Sequence, residues 1–303
     1  MRAIIRYFVL YLALSSSAHA IVLGTEDTLN TYSSVGYTIG ATGALGSVVA
    51  LSPEWVLTAA HVVEDGTSFV VMGDPYTGAE GLYFLIDQVI THPDYVSGQY
   101  HDDLALIKLS ALDPIVPTPG VVDASFATLS DIVPGSGPLP VTATLTGYGV
   151  TSIDGTVDPE AAIVRRYGVA ATDPFGPAPL PFDPGFPYDC SQAMLICTYD
   201  TTGGAPGDSG GGMWFDYGNG EVLAGINSFI FDENDLLNPP GEANWDDGYW
   251  TVGMSTAYYA DWITGHVPTA LFDTSAVPVP PAVWLFGSGL LGLVGVARRR
   301  QAA

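Results

Sequence analysis

Three short segments, far apart in the chain, most limit how it can fold, because their side chains make chemical sense only side by side. Gly207-Asp208-Ser209-Gly210-Gly211 sets a serine among glycines. Thr58-Ala59-Ala60-His61 ends on a histidine, and Asp103 heads the apolar run Leu104-Ala105-Leu106-Ile107-Lys108-Leu109. A serine hydroxyl is a weak nucleophile at neutral pH and needs a base to take its proton. That base in turn needs a carboxylate to fix its tautomer and stabilise its charged form. The three arrive in the order His, Asp, Ser, separated by 42 and 106 residues. A Gly-rich serine turn alone is common, and an isolated histidine is more often structural than catalytic. Three such segments in this order are specific.

The chain between them reads as all-β. Short apolar runs are broken by turn residues, with 36 Gly and 23 Pro in 303 residues, which disfavours a helical architecture. That length is too great for one small core and suits two β modules or one larger domain.

Together these segments resemble the trypsin/chymotrypsin-type serine proteases, from Ile21 to about Ile263. The similarity includes Gly46-Ser47-Val48-Val49, Trp55-Val56-Leu57 ahead of the histidine, Thr91-His92-Pro93-Asp94-Tyr95, Gly147-Tyr148-Gly149, Asn227-Ser228-Phe229 and a closing Ala260-Asp261-Trp262-Ile263. The resemblance implies two packed antiparallel β-barrels, roughly 21–133 and 138–266, with a short C-terminal helix and a cleft between the barrels. It implies His61 as general base, Asp103 as its orienting partner and Ser209 as nucleophile, with the amides of Gly207 and Ser209 as oxyanion hole. Asp102 competes with Asp103 for the carboxylate role; the family places its residue immediately before the apolar run, which favours Asp103 and leaves Asp102 as a solvated neighbour. No cofactor is implied, and the substrates are proteins or peptides.

Three finer expectations follow from the same resemblance. Cleavage after Ala20 would expose Ile21-Val22-Leu23-Gly24, close to the family's activated terminus, whose α-ammonium pairs with the aspartate before the serine, here Asp208. Gly203 stands where trypsin-like members carry an aspartate, so the specificity pocket, with Ser228, Ile230 and Thr251 on its walls, is uncharged and suits small or medium aliphatic side chains. Cys197 stands where the family commonly has a disulfide cysteine, with Cys190 as its partner, whereas Val62 replaces the cysteine that usually follows the histidine.

The chain ends carry sorting signals. Residues 1–20 have a basic start (Arg2, Arg6), an apolar run from Tyr7 to Leu14 and a small-residue cleavage site at Ala18-His19-Ala20, the pattern of a signal peptide cut by signal peptidase. Residues 277–303 read Val277-Pro278-Val279-Pro280-Pro281, then an apolar segment from Ala282 to Ala297, then Arg298-Arg299-Arg300. This resembles a PEP-CTERM tail handled by an exosortase, with a transmembrane helix as the sole membrane contact; a plain membrane anchor is the alternative. The domain expected between these ends is 21–276, and the product is exported: periplasmic, envelope-bound or extracellular in a Gram-negative-type bacterium.

Charge narrows the partners. Between residues 21 and 276 only Lys108, Arg165 and Arg166 are basic, against 32 acidic residues, a net charge of −29. Such a surface repels phosphate backbones and excludes nucleic acid as a partner. Asp74 and Glu80 could offer oxygen ligands to Ca²⁺, but carboxylates meet by chance in so acidic a chain, and no metal site is assigned. The competing reading is a catalytically silent protease-fold protein serving as a surface binding or matrix component.

Overall fold

The computed structural model describes residues 21–73, 81–98, 101–110, 126–134, 139–149, 163–172, 192–231 and 249–273. The first half contains β1 (Thr25–Glu26), β2 (Val35–Gly40), β3 (Leu45–Ser52), β4 (Trp55–Thr58), α1 (Ala60–Val63), β5 (Thr67–Met72), β6 (Leu82–Thr91) and β7 (Ala105–Leu109). Strands β2 to β7 close into a barrel in the order β2-β3-β4-β7-β6-β5, every pairing antiparallel. The alternation along its strands explains why their sequences look uniformly apolar. In β7, Ala105, Ile107 and Leu109 join one buried cluster with Val48, Ala50, Val56 and Phe84, while Leu106 faces a second cluster shared with the other half of the molecule. Both faces of the strand are buried, so the period of two shows only in which core each side chain enters.

The second half holds β8 (Thr128–Ser130), β9 (Thr142–Gly147), β10 (Arg166–Ala171), β11 (Leu195–Asp200), β12 (Gly212–Asp216), β13 (Glu221–Phe231), β14 (Tyr249–Ser255), α2 (Ala260–His266) and β15 (Leu271–Asp273). A second closed barrel, as expected from the resemblance, is not seen among the described residues. The described strands form a nine-stranded mixed sheet in the order β1-β10-β9-β12-β13-β14-β11, with β8 lying parallel to both β13 and β15. Among the described residues β10 and β11 are joined only by an isolated bridge, Thr172 to Thr198, rather than by a continuous ladder. The short C-terminal helix is present as α2.

The apolar seam between barrel and sheet contains Val35, Val49, Leu57 and Leu106 from the barrel and Tyr148, Trp214, Ile226 and Trp250 from the sheet. It fixes the two halves against each other, so loops on either side of the seam can share one site.

Neither the expected membrane helix nor the complete expected disulfide pair is found among the described residues. Among the described residues no helix is long and apolar enough to cross a membrane, and α2, the longer of the two described helices, has seven residues. No disulfide lies within the described residues, since Cys190 is outside them, although Cys197, buried on β11, is not a free thiol. The signal peptide, the PEP-CTERM-like tail, Asp74 and Glu80 also lie outside the described residues.

Candidate active site

His61 sits in the single turn of α1 directly after β4, and Asp103 immediately precedes β7, the antiparallel partner of β4. That pairing places Thr58 opposite Ala105 and so brings the ends that carry the two residues together. The His61 backbone N–H donates to Asp103 Oδ1 (2.9 Å), and Nδ1 lies 2.7 Å from Oδ2. A carboxylate oxygen can only accept here, so Nδ1 carries the proton and Nε2 keeps its lone pair. Asp103 is fully buried while His61 is partly exposed. The imidazole therefore presents an unprotonated nitrogen to the cleft from a carboxylate sheltered from solvent.

Ser228 completes the carboxylate's shell by donating from its hydroxyl to Asp103 Oδ2. It lies on β13 where the register with β14 shifts between Asn227 and Phe229, a bulge that re-aims a side chain. Sequence reading put Ser228 on the wall of a specificity pocket. It does line that pocket, but its hydroxyl serves the aspartate.

Asp102 is not the solvated neighbour expected. Its carboxylate accepts from Tyr259 Oη (2.9 Å) and pairs with His101 Nδ1 (2.9 Å), with His92 Nδ1 at 3.8 Å, and only 15% of its side chain is exposed. Tyr259 caps α2, so Asp102 ties the C-terminal helix to the segment before β7. Burial lowers the pKa of His92, against the raising effects of Asp102 and Asp94. Asp102 has φ +55°, and this left-handed kink between neighbours turns the two consecutive carboxylates to different partners.

Ser209 enters from the other half of the molecule, just before β12. Its Oγ donates to the Ser228 carbonyl at 3.4 Å rather than to His61. Both side chains nevertheless line the same two clefts. The loop is clamped across the seam: Ser47 N donates to the Ser209 carbonyl (2.7 Å), Ser47 Oγ to the Gly207 carbonyl (2.9 Å), and Gly210 N to Asn227 O (2.8 Å). Gly207 and Gly210 have φ +96° and +85°. A Cβ on Gly210 would sit 2.0 Å from the Ser47 carbonyl oxygen, so that position must be glycine. The amides of Gly207 and Ser209 donate to no acceptor among the described residues, unlike their neighbours Asp208, Gly210 and Gly211. Two such amides beside a serine hydroxyl can receive a developing oxyanion.

Asp208 faces away from the cleft into the protein. It accepts hydrogen bonds from Ile21 N (2.9 Å), Gly149 N (2.7 Å) and Ala205 N (2.8 Å). Burial pushes its acid up to about 6, opposed by these three donors and by the Arg166 charge. The glycines of Gly147-Tyr148-Gly149 are the unread signal for this seat, since a Cβ on Gly147 would lie 2.2 Å from Asp208 Oδ1 and one on Gly149 2.7 Å from its Cγ.

The cleft on one side of Ser209 has a volume of about 240 Å³, and its lining includes Ser228, Ile230 and Thr251. Gly203 does not line it. A Cβ there would come within 2.7 Å of the Tyr249 ring and Thr251 Oγ1, so Gly203 packs behind the wall. Tyr249, whose hydroxyl donates to the Gly204 carbonyl (3.1 Å), backs the pocket and was not anticipated; only its position two residues before Thr251 pointed to it. Among the described residues Asp208 is the one acidic residue on the lining, and its oxygens are engaged by amides. Among the described residues no cluster of His, Cys, Asp or Glu could hold a metal.

A histidine held by a buried aspartate and sharing a cleft with a serine on a glycine-rich loop, built at the seam between a β-barrel and a β-sheet, defines the serine-protease class. The chain belongs to the trypsin family, which its residues 32–244 match, and this places it among the serine-type endopeptidases. It is 27% identical to human granzyme M over 221 residues, covering 71% of this chain and 76% of that one. A trypsin from Phaedon cochleariae is 29% identical over 110 residues, a match covering 35% of this chain and only 40% of that protein.

Proposed function

We propose that this chain is an exported serine endopeptidase that cleaves after small or medium aliphatic residues through an acyl-enzyme on Ser209. The observation that carries the proposal is the Asp103 carboxylate, sealed from solvent and satisfied by three donors, which holds His61 with Nε2 free toward the cleft that Ser209 shares. Nε2 takes the Ser209 proton as Oγ attacks the peptide carbonyl, and the imidazolium is stabilised by Asp103. The tetrahedral oxyanion receives the amides of Gly207 and Ser209. His61 then returns the proton to the leaving amine, and water repeats the sequence to free the acid.

The aliphatic preference rests on the lining of the 240 Å³ pocket, where Ile230 and Thr251 supply bulk and, among the described residues, no free carboxylate is available to a Lys or Arg side chain. Activation by export rests on Ile21, fully buried with its nitrogen on Asp208. Its φ is +50°, a conformation that a β-branched residue adopts only under strain. That dihedral runs through the bond to residue 20, so cleavage there abolishes the strain and turns the nitrogen into an ammonium facing a carboxylate.

A fluorophosphonate probe tests the activity directly. Covalent labelling at Ser209, lost in Ser209→Ala and accompanied by hydrolysis of Ala-, Val- or Leu-terminated peptide amides, is the expected result. A folded, correctly processed protein that does not label would instead be a silent binding protein on a protease fold.

A further inference from the structure

On the opposite side of Ser209 from the aliphatic pocket lies a larger cleft of about 600 Å³, whose lining includes Ile39, Leu45, Val62 and Ile163 together with Gly207. The four aliphatic side chains come from separate places: the two ends of the β2–β3 hairpin, α1, and the segment leading into β10. Each is half-buried and rests on the apolar seam, so each is held in place while still offering surface to the cleft. Val62 also packs against the barrel interior. It packs so closely on β3 that a Cβ added to Gly46 would lie 2.3 Å from its Cγ1. This is the position where related chains commonly carry a cysteine, so a hydrocarbon surface here replaces a disulfide. Asp65 is the one acidic residue of the lining among the described residues.

We propose that this cleft binds the leaving-group half of the substrate and selects an aliphatic residue immediately after the scissile bond. The proposal rests on the assignment of Ser209 as nucleophile. The occupant follows from continuity: His61 and Ser209 line both clefts, whereas Gly207 lines only this one and Ile230 and Thr251 only the other. A peptide whose carbonyl lies on Ser209 with its oxygen at the Gly207 amide must continue from the small pocket into this one. Water is a poor tenant for a cleft walled by four aliphatic side chains, and an apolar side chain displaces it favourably. Asp65 adds a repulsive element against acidic residues. The peptidase is thereby specific on both sides of the bond, cutting within aliphatic stretches rather than after a single marker residue.

Capture of the acyl-enzyme by added amines reads this side alone. The amine nitrogen attacks the ester carbonyl on Ser209 and gives a proton to His61; the C–O bond breaks as that proton returns to Oγ, leaving a new amide and a free hydroxyl. The protein starting at Ile21 would be acylated with an Ala-terminated peptide ester in the presence of Gly-, Ala-, Leu-, Val-, Lys- or Asp-amide. The ratio of aminolysis to hydrolysis would be measured by mass spectrometry, a ratio in which the rate of acylation cancels. Burial of a leucine side chain is worth about tenfold or more, so Leu- and Val-amide should capture at least about ten times better than Gly-amide, and Asp-amide worst of all. Ile163→Ser should shrink the Leu-to-Gly ratio severalfold. Equal capture of all amines, or preferential capture by Lys-amide, would overturn the proposal while leaving the nucleophile in place. Failure to acylate at all would overturn the endopeptidase reading and this proposal with it.

Discussion

Asp103 holds a charge where an unpaired carboxylate would cost several kcal/mol, and it is tolerated because three donors converge on it. Replacing it with asparagine removes the acceptor that selects the His61 tautomer, because an amide NH₂ in that place would favour a lone pair on Nδ1. Asp103→Asn should lower kcat by about 10⁴ in a folded protein, as in related triads. Asp102→Asn should be mild in rate, since its amide oxygen can still accept from Tyr259. Measured kcat/KM for the two variants checks the assignment; a crippled Asp102→Asn enzyme would reverse it. Ser209→Ala and His61→Ala should each remove most turnover, and their combination should be little worse, because a base without a nucleophile has nothing to activate.

Local elements decide which parts of this arrangement could be read from sequence. His61, Asp103 and Ser209 were legible because each sits in its own compact motif, and α2 because Ala260-Asp261-Trp262-Ile263 is contiguous. The donor role of Ser228 was not, because it depends on a bulge in a strand 125 residues from Asp103. Tyr249 was hidden for the same reason: its place behind Gly203 is set by the pairing of β11 with β14, a long-range contact that no local pattern encodes. Closure of a second barrel is not legible in the strands themselves, because alternating strands announce a sheet without saying whether its edges meet, and the parallel pairing of β8 with β13 and β15 is a long-range contact of the same kind. The loop glycines make a prediction at this scale. Gly147→Ala would push a methyl group to 2.2 Å from Asp208 Oδ1 and 3.0 Å from the Asp208 Cα, so the backbone as well as the carboxylate would have to give way. Overpacking of this kind costs typically 1–3 kcal/mol. Displacement of Asp208 should also spoil the amides beside Ser209, lowering kcat about 10²-fold or more. Circular dichroism and burst titration with an active-site label would separate a misaligned loop from an unfolded chain.

At the scale of the whole molecule, two buried charge sites tie the start of the chain to both halves. Arg165 is fully buried; its Nε donates to Asp27 Oδ2 (2.8 Å) and its Nη1 to the carbonyl of Val35 in the barrel (3.2 Å) and to Tyr148 Oη in the sheet (3.3 Å). Asp27 also accepts from the amides of Thr31 and Tyr32. Arg165→Met would strand that carboxylate and should cost about 3–5 kcal/mol, while adding Asp27→Asn should restore part of the loss. Urea denaturation of the single and double variants measures both.

The second site, Ile21 on Asp208, governs pH dependence. With a neutral N–H at Ile21, burial raises the Asp208 acid from 3.8 to about 6. A carboxyl group raised in this way favours the folded state fully below about 4, and that contribution is lost as pH rises through about 6; ionising it at neutral pH costs roughly 3 kcal/mol. An α-ammonium, with an ordinary pKa near ~8 raised by the same contact, offsets this cost only while both groups are charged. The protein beginning at Ile21 should therefore melt at a higher temperature than one carrying an extra Met before it. The gap should be widest between about pH 6 and 8, closing below as Asp208 protonates and above as the ammonium titrates. Activity should follow the same window on its alkaline side. Calorimetric scans of the two proteins from pH 4 to 10 test this. Superimposable melting curves across that range, or full activity with the extra residue in place, would mean that Asp208 orders the Ser209 loop through its amide donors alone.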